Sequence, residues 1–89
     1  MTVDHNDDRT MTELVLYGKA DCPLCDRLEA LIRPFLAADL TLIKRDIEDN
    51  QQWLRRYRYR IPVLTGLDQV LLEGRPDPAV VARALEGLS

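Results

Sequence analysis

Apolar positions along the chain change their period in a readable order. Leu14, Val15, Leu16 and Tyr17 are apolar without interruption, as in a strand covered on both faces of a sheet, so Glu13 to Tyr17 is read as a first strand ended by Gly18. From Leu24 to about Leu36 the spacing becomes helical: Leu28, Leu31, Ile32 and Phe35 follow the i, i+3, i+4, i+7 pattern of one buried face. Glu29 and Arg33 fall on the wet side as an i,i+4 pair, and Pro34 predicts a kink or a shifted last turn. Leu40 to Arg45 reads as a second strand, with Leu40, Leu42 and Lys44 on one face. Asp46 to Asp49 ends it, and Asp49 or Asn50 caps a helix from Gln51 to about Tyr57, with Trp53, Leu54 and Tyr57 inward. Ile61 to Thr65 is a third strand beginning at a proline; after the turn Gly66-Leu67-Asp68, Gln69 to Glu73 returns antiparallel. Gly74-Arg75-Pro76 breaks the chain. Asp77 is placed to cap a last helix with Pro78 in its first turn and Val81, Ala84, Leu85 and Leu88 inward.

The predicted order is β-α-β-α-β-β-α, an α/β fold with a mixed four-stranded sheet and three helices. A helix between the first two strands makes them parallel, with a right-handed crossover.

The 89 residues suffice for one small domain. Residues 1–12 read as a flexible polar tail of net charge −2, and residues 13–89 as the domain, nearly neutral. His5 lies in that tail, where a lone histidine is read as solvated. A net charge of −3 argues against general nucleic-acid binding. There is no basic region followed by an apolar run at the N-terminus, and no stretch of the roughly 20 apolar residues that a membrane helix needs. The expectation is a cytoplasmic protein whose thiols are held mostly reduced.

In that setting both cysteines of the chain stand two residues apart, in Asp21-Cys22-Pro23-Leu24-Cys25, between the first strand and the first helix. A thiolate is stabilised there by unpaired backbone N–H groups and the positive end of the helix dipole. Cysteines so placed can ionise well below the free value of about 8.5. Cys22 precedes the helix and is the expected nucleophile; Cys25, one turn in, is the expected resolving thiol. Pro23 suits a first helical turn because it leaves no N–H unpaired. The plain alternative is a pair of inert, buried apolar residues. Asp21, next to Cys22, would raise the Cys22 pKa if close, opposing the dipole.

The run Leu14-Val15-Leu16-Tyr17-Gly18-Lys19-Ala20-Asp21-Cys22-Pro23-Leu24-Cys25 resembles the active-site region of glutaredoxins, within the thioredoxin-like superfamily. Lys19 stands three residues before the first cysteine, as a lysine often does in that family. Ile61-Pro62-Val63-Leu64 resembles the segment that carries the superfamily's cis-proline opposite the cysteines. The likeness runs from about Glu13 to Leu88. It implies a thioredoxin-like fold and thiol–disulfide exchange, with no tightly bound cofactor and with glutathione as co-substrate. It further implies a monomer acting on a disulfide-containing protein or a glutathione mixed disulfide. A cis bond would turn the Ile61 backbone toward Cys22, exposing its N–H and C=O to an extended substrate. Leu24 stands where glutaredoxins usually have an aromatic residue. Gly74, Arg75 and Asp77 match only weakly the Gly-Gly-acidic segment that holds glutathione. The candidate substrate-binding set is Lys19, Pro23, Leu24, Arg60, Ile61, Pro62 and Asp77.

Four arginines in six residues, Arg55, Arg56, Arg58 and Arg60, lie just before Pro62. They could bind a carboxylate of glutathione or an acidic partner, or form a solvated face favoured by the helix dipole. Two functions of another kind compete with an oxidoreductase. One is a metal or iron–sulfur cluster shared across a dimer, since two cysteines supply only half a tetrahedral site. The other is an interaction adaptor that has kept the fold without turnover.

Overall fold

The structure, a computed structural model, describes residues 12–88. Among them four strands, β1 (Thr12–Gly18), β2 (Leu40–Asp46), β3 (Val63–Gly66) and β4 (Gln69–Glu73), and three α-helices, α1 (Pro23–Ile32), α2 (Gln51–Tyr57) and α3 (Pro78–Glu86), follow the predicted order. The sheet order is β2-β1-β3-β4. β1 and β2 are parallel, whereas β1–β3 and β3–β4 are antiparallel. Thr12, expected in the tail, opens β1 and donates its N–H to the Asp39 carbonyl at 2.8 Å. The rest of the expected tail, with His5, lies outside the described residues.

Alternation along β1 sends its side chains to two separate cores. Leu14 and Leu16 join Leu28, Ile32, Leu64, Leu72, Val81 and Leu85 between the sheet and helices α1 and α3. Tyr17 joins Ile47, Tyr57 and Val63 on the opposite face, with Trp53 and Leu54 of α2 packed against them. β1 is thus covered on both faces, which is why its apolar run is unbroken. Full burial of a Leu or Ile contributes about 1.5–3 kcal/mol. Leu28 and Ile32 are fully buried, and they fix α1 on the sheet.

Of three local expectations, one is met and two change. First, α1 stops at Ile32 and the chain continues as a 3-10 turn over Arg33–Phe35. Pro34 has no N–H to continue the helical ladder, so the proline shifts the last turn. Second, β3 begins at Val63 rather than at Ile61. Pro62 has no donor for a ladder, and the Ile61 N–H is already given to the Tyr57 carbonyl at 3.0 Å. Third, Asp77 is the N-cap of α3 by position, but its side chain makes no capping bond. The Val80 amide, which such a side chain would take, bonds instead to the Asp77 main-chain carbonyl at 2.9 Å. Asn50, by contrast, caps α2 with its side chain.

Candidate functional site

The site forms where β1 ends and α1 begins. Asp21 takes a left-handed conformation (φ 57°), which an Asp tolerates better than most residues. Cys22 follows with extended backbone as the N-cap of α1. Its Sγ accepts a hydrogen bond from the Cys25 N–H at 3.2 Å, the role a Ser or Asp oxygen plays at other helix starts. The two cysteines are joined as a disulfide, with Cα atoms 5.2 Å apart. They differ in exposure: Cys22 is half-buried, whereas Cys25 is buried at 7%.

Gly18 sets how deeply Cys25 sits. A Cβ at Gly18 would lie 2.9 Å from Cys25 Sγ and 3.2 Å from its Cβ. Its φ is not positive, so glycine is needed here for space rather than for backbone conformation. From the sequence, Gly18 reads only as the end of a strand. A groove of about 410 Å³ opens beside Cys25, lined among others by Lys19, Asp21, Asp26, Lys44 and Arg45. Its rim carries an ion-pair cluster. Glu29 accepts from Arg33, as the spacing predicts, and also from Lys44 of β2 at 2.8 Å. These bonds, Lys44 first, hold the Glu29 carboxyl below its ordinary range. Lys44 therefore lies on the α1 side of β2, the face assigned to it with Leu40 and Leu42. Arg45 points the other way, donating to Tyr17 Oη at 3.2 Å with its guanidinium 5.0 Å from the Trp53 ring.

On the other side of the cysteines, the register Tyr17↔Val63 places Pro62 across from Gly18. The Ile61–Pro62 bond is cis. The Pro62 carbonyl accepts from the Gly74 N–H at 2.8 Å, and Arg27 of α1 donates to the Pro76 carbonyl at 2.9 Å. The 74–76 segment is thereby tied both to the cis-proline and to the cysteine-bearing helix. Gly74, in a left-handed conformation (φ 74°), makes the turn; Arg27 has no signal in the sequence beyond its charge.

Several predicted site residues converge here. Lys19 is exposed on the groove, Pro23 is exposed at the start of α1, and Leu24 is 40% exposed beside the disulfide. The Ile61 backbone departs from expectation: its N–H is consumed by Tyr57, because the carbonyls at the end of α2 are satisfied by the turn that follows. Its carbonyl takes no main-chain hydrogen bond among the described residues. Arg60, expected to face an outside carboxylate, is paired with Glu73 at 2.7 Å. Asp77 stands exposed beyond the tied 74–76 segment. Among the described residues, no group of three or more His, Cys, Asp or Glu could hold a metal ion, and no helix is long and apolar enough to cross a membrane.

Known structures share this fold. A Nitrosomonas europaea protein solved in solution by NMR is 29% identical over 84% of this chain and 92% of its own, with a TM-score of 0.69. A mutant thioredoxin from Halobacterium salinarum is 23% identical over 96% of this chain and 83% of its own, with a TM-score of 0.60. The protein Trxlp from Edwardsiella tarda is 18% identical over 96% of this chain and 94% of its own, with a TM-score of 0.58. The last two likenesses establish the thioredoxin-like fold, and a paired Cys22–Cys25 on that fold is compatible with redox chemistry. A family model described as Glutaredoxin-like domain (DUF836) matches residues 13–86, so the chain belongs to that glutaredoxin-like family.

Proposed function

We propose that the protein is a thiol–disulfide oxidoreductase working through the Cys22–Cys25 couple. The observation that carries this reading is the asymmetry of the pair: a half-buried sulfur capping α1, and a buried one three residues on. In the reduced protein the Cys22 thiolate attacks one sulfur of a substrate disulfide, forming a mixed disulfide and releasing the first thiol. The Cys25 thiolate then attacks Cys22 Sγ, releasing the second thiol and closing the Cys22–Cys25 disulfide. Two electrons pass from the dithiol to the substrate, and the protons of the two protein thiols end on the two released thiols. The hydrogen bond from the Cys25 N–H and the helix N-terminus both favour negative charge on Cys22 Sγ.

The substrate is a disulfide-containing protein or a glutathione mixed disulfide, and glutathione is the co-substrate that restores the dithiol. Lys19, Pro23, Leu24, Ile61 and Pro62 border the attacked sulfur, with the Ile61 carbonyl available to a substrate N–H. Asp77 contributes from beyond the 74–76 segment, and Arg60 does so on exchanging Glu73 for a substrate carboxylate. The chain works in the cytoplasm as a monomer. The test is reduction of a glutathione mixed disulfide by wild type, Cys22→Ser and Cys25→Ser. Loss of Cys22 should abolish turnover. Loss of Cys25 should leave the first exchange and trap the mixed disulfide on Cys22. Activity that persists undiminished without Cys22 would end this reading.

A further inference from the structure

We propose that Arg55, Arg56 and Arg58, with Tyr59, form a docking surface for an acidic segment of the protein disulfide that this site reduces; the proposal rests on the oxidoreductase reading above. Residues 51–60 carry four arginines and no acidic residue, in a chain of net charge −3, which leaves −7 for the remainder. The four arginines are not equivalent. Arg60 is paired with Glu73. Arg27, Arg33 and Arg45 are likewise engaged, with the Pro76 carbonyl, Glu29 and Tyr17 Oη. Arg55, Arg56 and Arg58 are exposed and enter no ion pair among the described residues.

Tyr59 stands beside them, 88% exposed, with the Arg58 guanidinium 5.0 Å from its ring centroid. Arg55 and Arg56, with Gln52, border a shallow depression of about 450 Å³. The helix dipole accounts for cations at the end of α2. It accounts neither for arginine in every case nor for a tyrosine held in water. Arginine and tyrosine, with tryptophan, are enriched among the residues that carry binding energy at protein interfaces. Planar guanidinium groups fit carboxylates in a two-pronged geometry.

Position links this surface to the cysteines. Arg58 is four residues from Pro62, a reach of at most about 14 Å along an extended chain. A substrate segment seated at Arg58 therefore lies within that reach of the cis-proline. The partner is an acidic polypeptide rather than a nucleic acid, because the remaining −7 of charge repels an extended phosphate backbone. An acidic stretch of a few residues needs only the three charges of Arg55, Arg56 and Arg58, unpaired among the described residues.

The test uses three peptides, acidic, neutral and basic, each with one cysteine capped as a mixed disulfide with 2-mercaptoethanol. Their reduction by the full-length dithiol protein is followed in single turnover. At about 0.05 M salt the acidic peptide should react about tenfold faster than the neutral one, and the gap should close near about 0.5 M, as expected for exposed charges. The variant R55E/R56E/R58E should lose the preference and keep the wild-type rate on the neutral peptide. Equal rates for acidic and neutral peptides in wild type, or a preference that survives the charge reversal, would overturn the proposal. A second arm measures binding alone, by fluorescence anisotropy of a cysteine-free acidic peptide. Salt-sensitive binding lost in the triple variant supports the surface even where no peptide is reduced, a result that would sink the oxidoreductase reading instead. A single-stranded oligonucleotide of equal charge that outcompetes the acidic peptide would overturn the choice of partner.

Discussion

Replacing Gly18 by Ala tests whether the backbone of β1 sets the depth of the buried sulfur. The added Cβ would stand 2.9 Å from Cys25 Sγ and 3.2 Å from Cys25 Cβ. Neither neighbour yields easily. Cys25 belongs to a helix anchored by fully buried Leu28 and Ile32, and Gly18 is held in register with Asp46 of β2. Overpacking of this kind costs about 1–3 kcal/mol. Without the clash the same change would stabilise the fold by about 0.4–1 kcal/mol, because alanine restricts the unfolded chain and the φ here is one that it tolerates. The two effects have opposite signs, so a double-mutant cycle separates them. Under reducing conditions, urea denaturation of Gly18→Ala should show a loss of about 1–2 kcal/mol. In a Cys25→Ala background, where the nearer contact is gone, the same substitution should be close to neutral, a coupling of about 1 kcal/mol or more. An equal cost in both backgrounds would show that Gly18 is required for something other than room for the sulfur. No cost in either would show that the helix moves away freely, and the reasoning fails.

Two further substitutions probe the frame around the site. Glu29→Gln should lower stability near pH 7 by about 0.5–1 kcal/mol, through loss of its charge-assisted bonds to Lys44 and Arg33. Because the folded Glu29 carboxyl ionises below its ordinary 4.5, its contribution is present above that value and lost as pH falls through the folded one. Urea midpoints between pH 7 and pH 3 should fall less steeply for the variant than for wild type; parallel profiles would contradict the assignment. Asn50→Ala removes the side-chain oxygen that accepts from the Gln52 and Trp53 amides at 2.8 and 3.1 Å, and should cost about 1 kcal/mol. Faster amide hydrogen exchange at Gln52 and Trp53 would localise the loss to the first turn of α2.

What could be read from the chain beforehand follows a physical division. The unbroken apolar run at 14–17 and the helical spacing from Leu28 are consequences of burial that repeat along a single element, so periodicity exposes them. Asn50 and Pro34 act within one turn of where they stand, and their effects were legible too. Contacts between elements were not. The Glu29–Arg33 pair is a spacing, but Lys44 reaches Glu29 across the parallel crossover. Gly18 reads as a strand end until α1 is laid against it. Arg60 looks free in a run of cations until β4 brings Glu73 alongside. The Ile61 N–H looks free until the turn after α2 is built. Resemblance to a family supplied the cis-proline, whereas the residues alone would have favoured a trans proline opening a strand.

The unequal standing of the two sulfurs follows from where the helix starts. Cys22 lies outside the hydrogen-bonded turns, so its sulfur can turn back onto the first free amides, and the one it meets belongs to Cys25. Cys25 lies inside them, and one further turn brings in Leu28, which must face the core. A residue three positions before a core residue points to nearly the same side of the helix, so Cys25 faces the sheet. The sheet can accept it only because the residue met there is glycine. Exchanging the two roles would require rotating α1 on the sheet and withdrawing Leu28 and Ile32 from the core. The unequal burial of the two sulfurs is thus set by the same apolar residues that hold the helix in place.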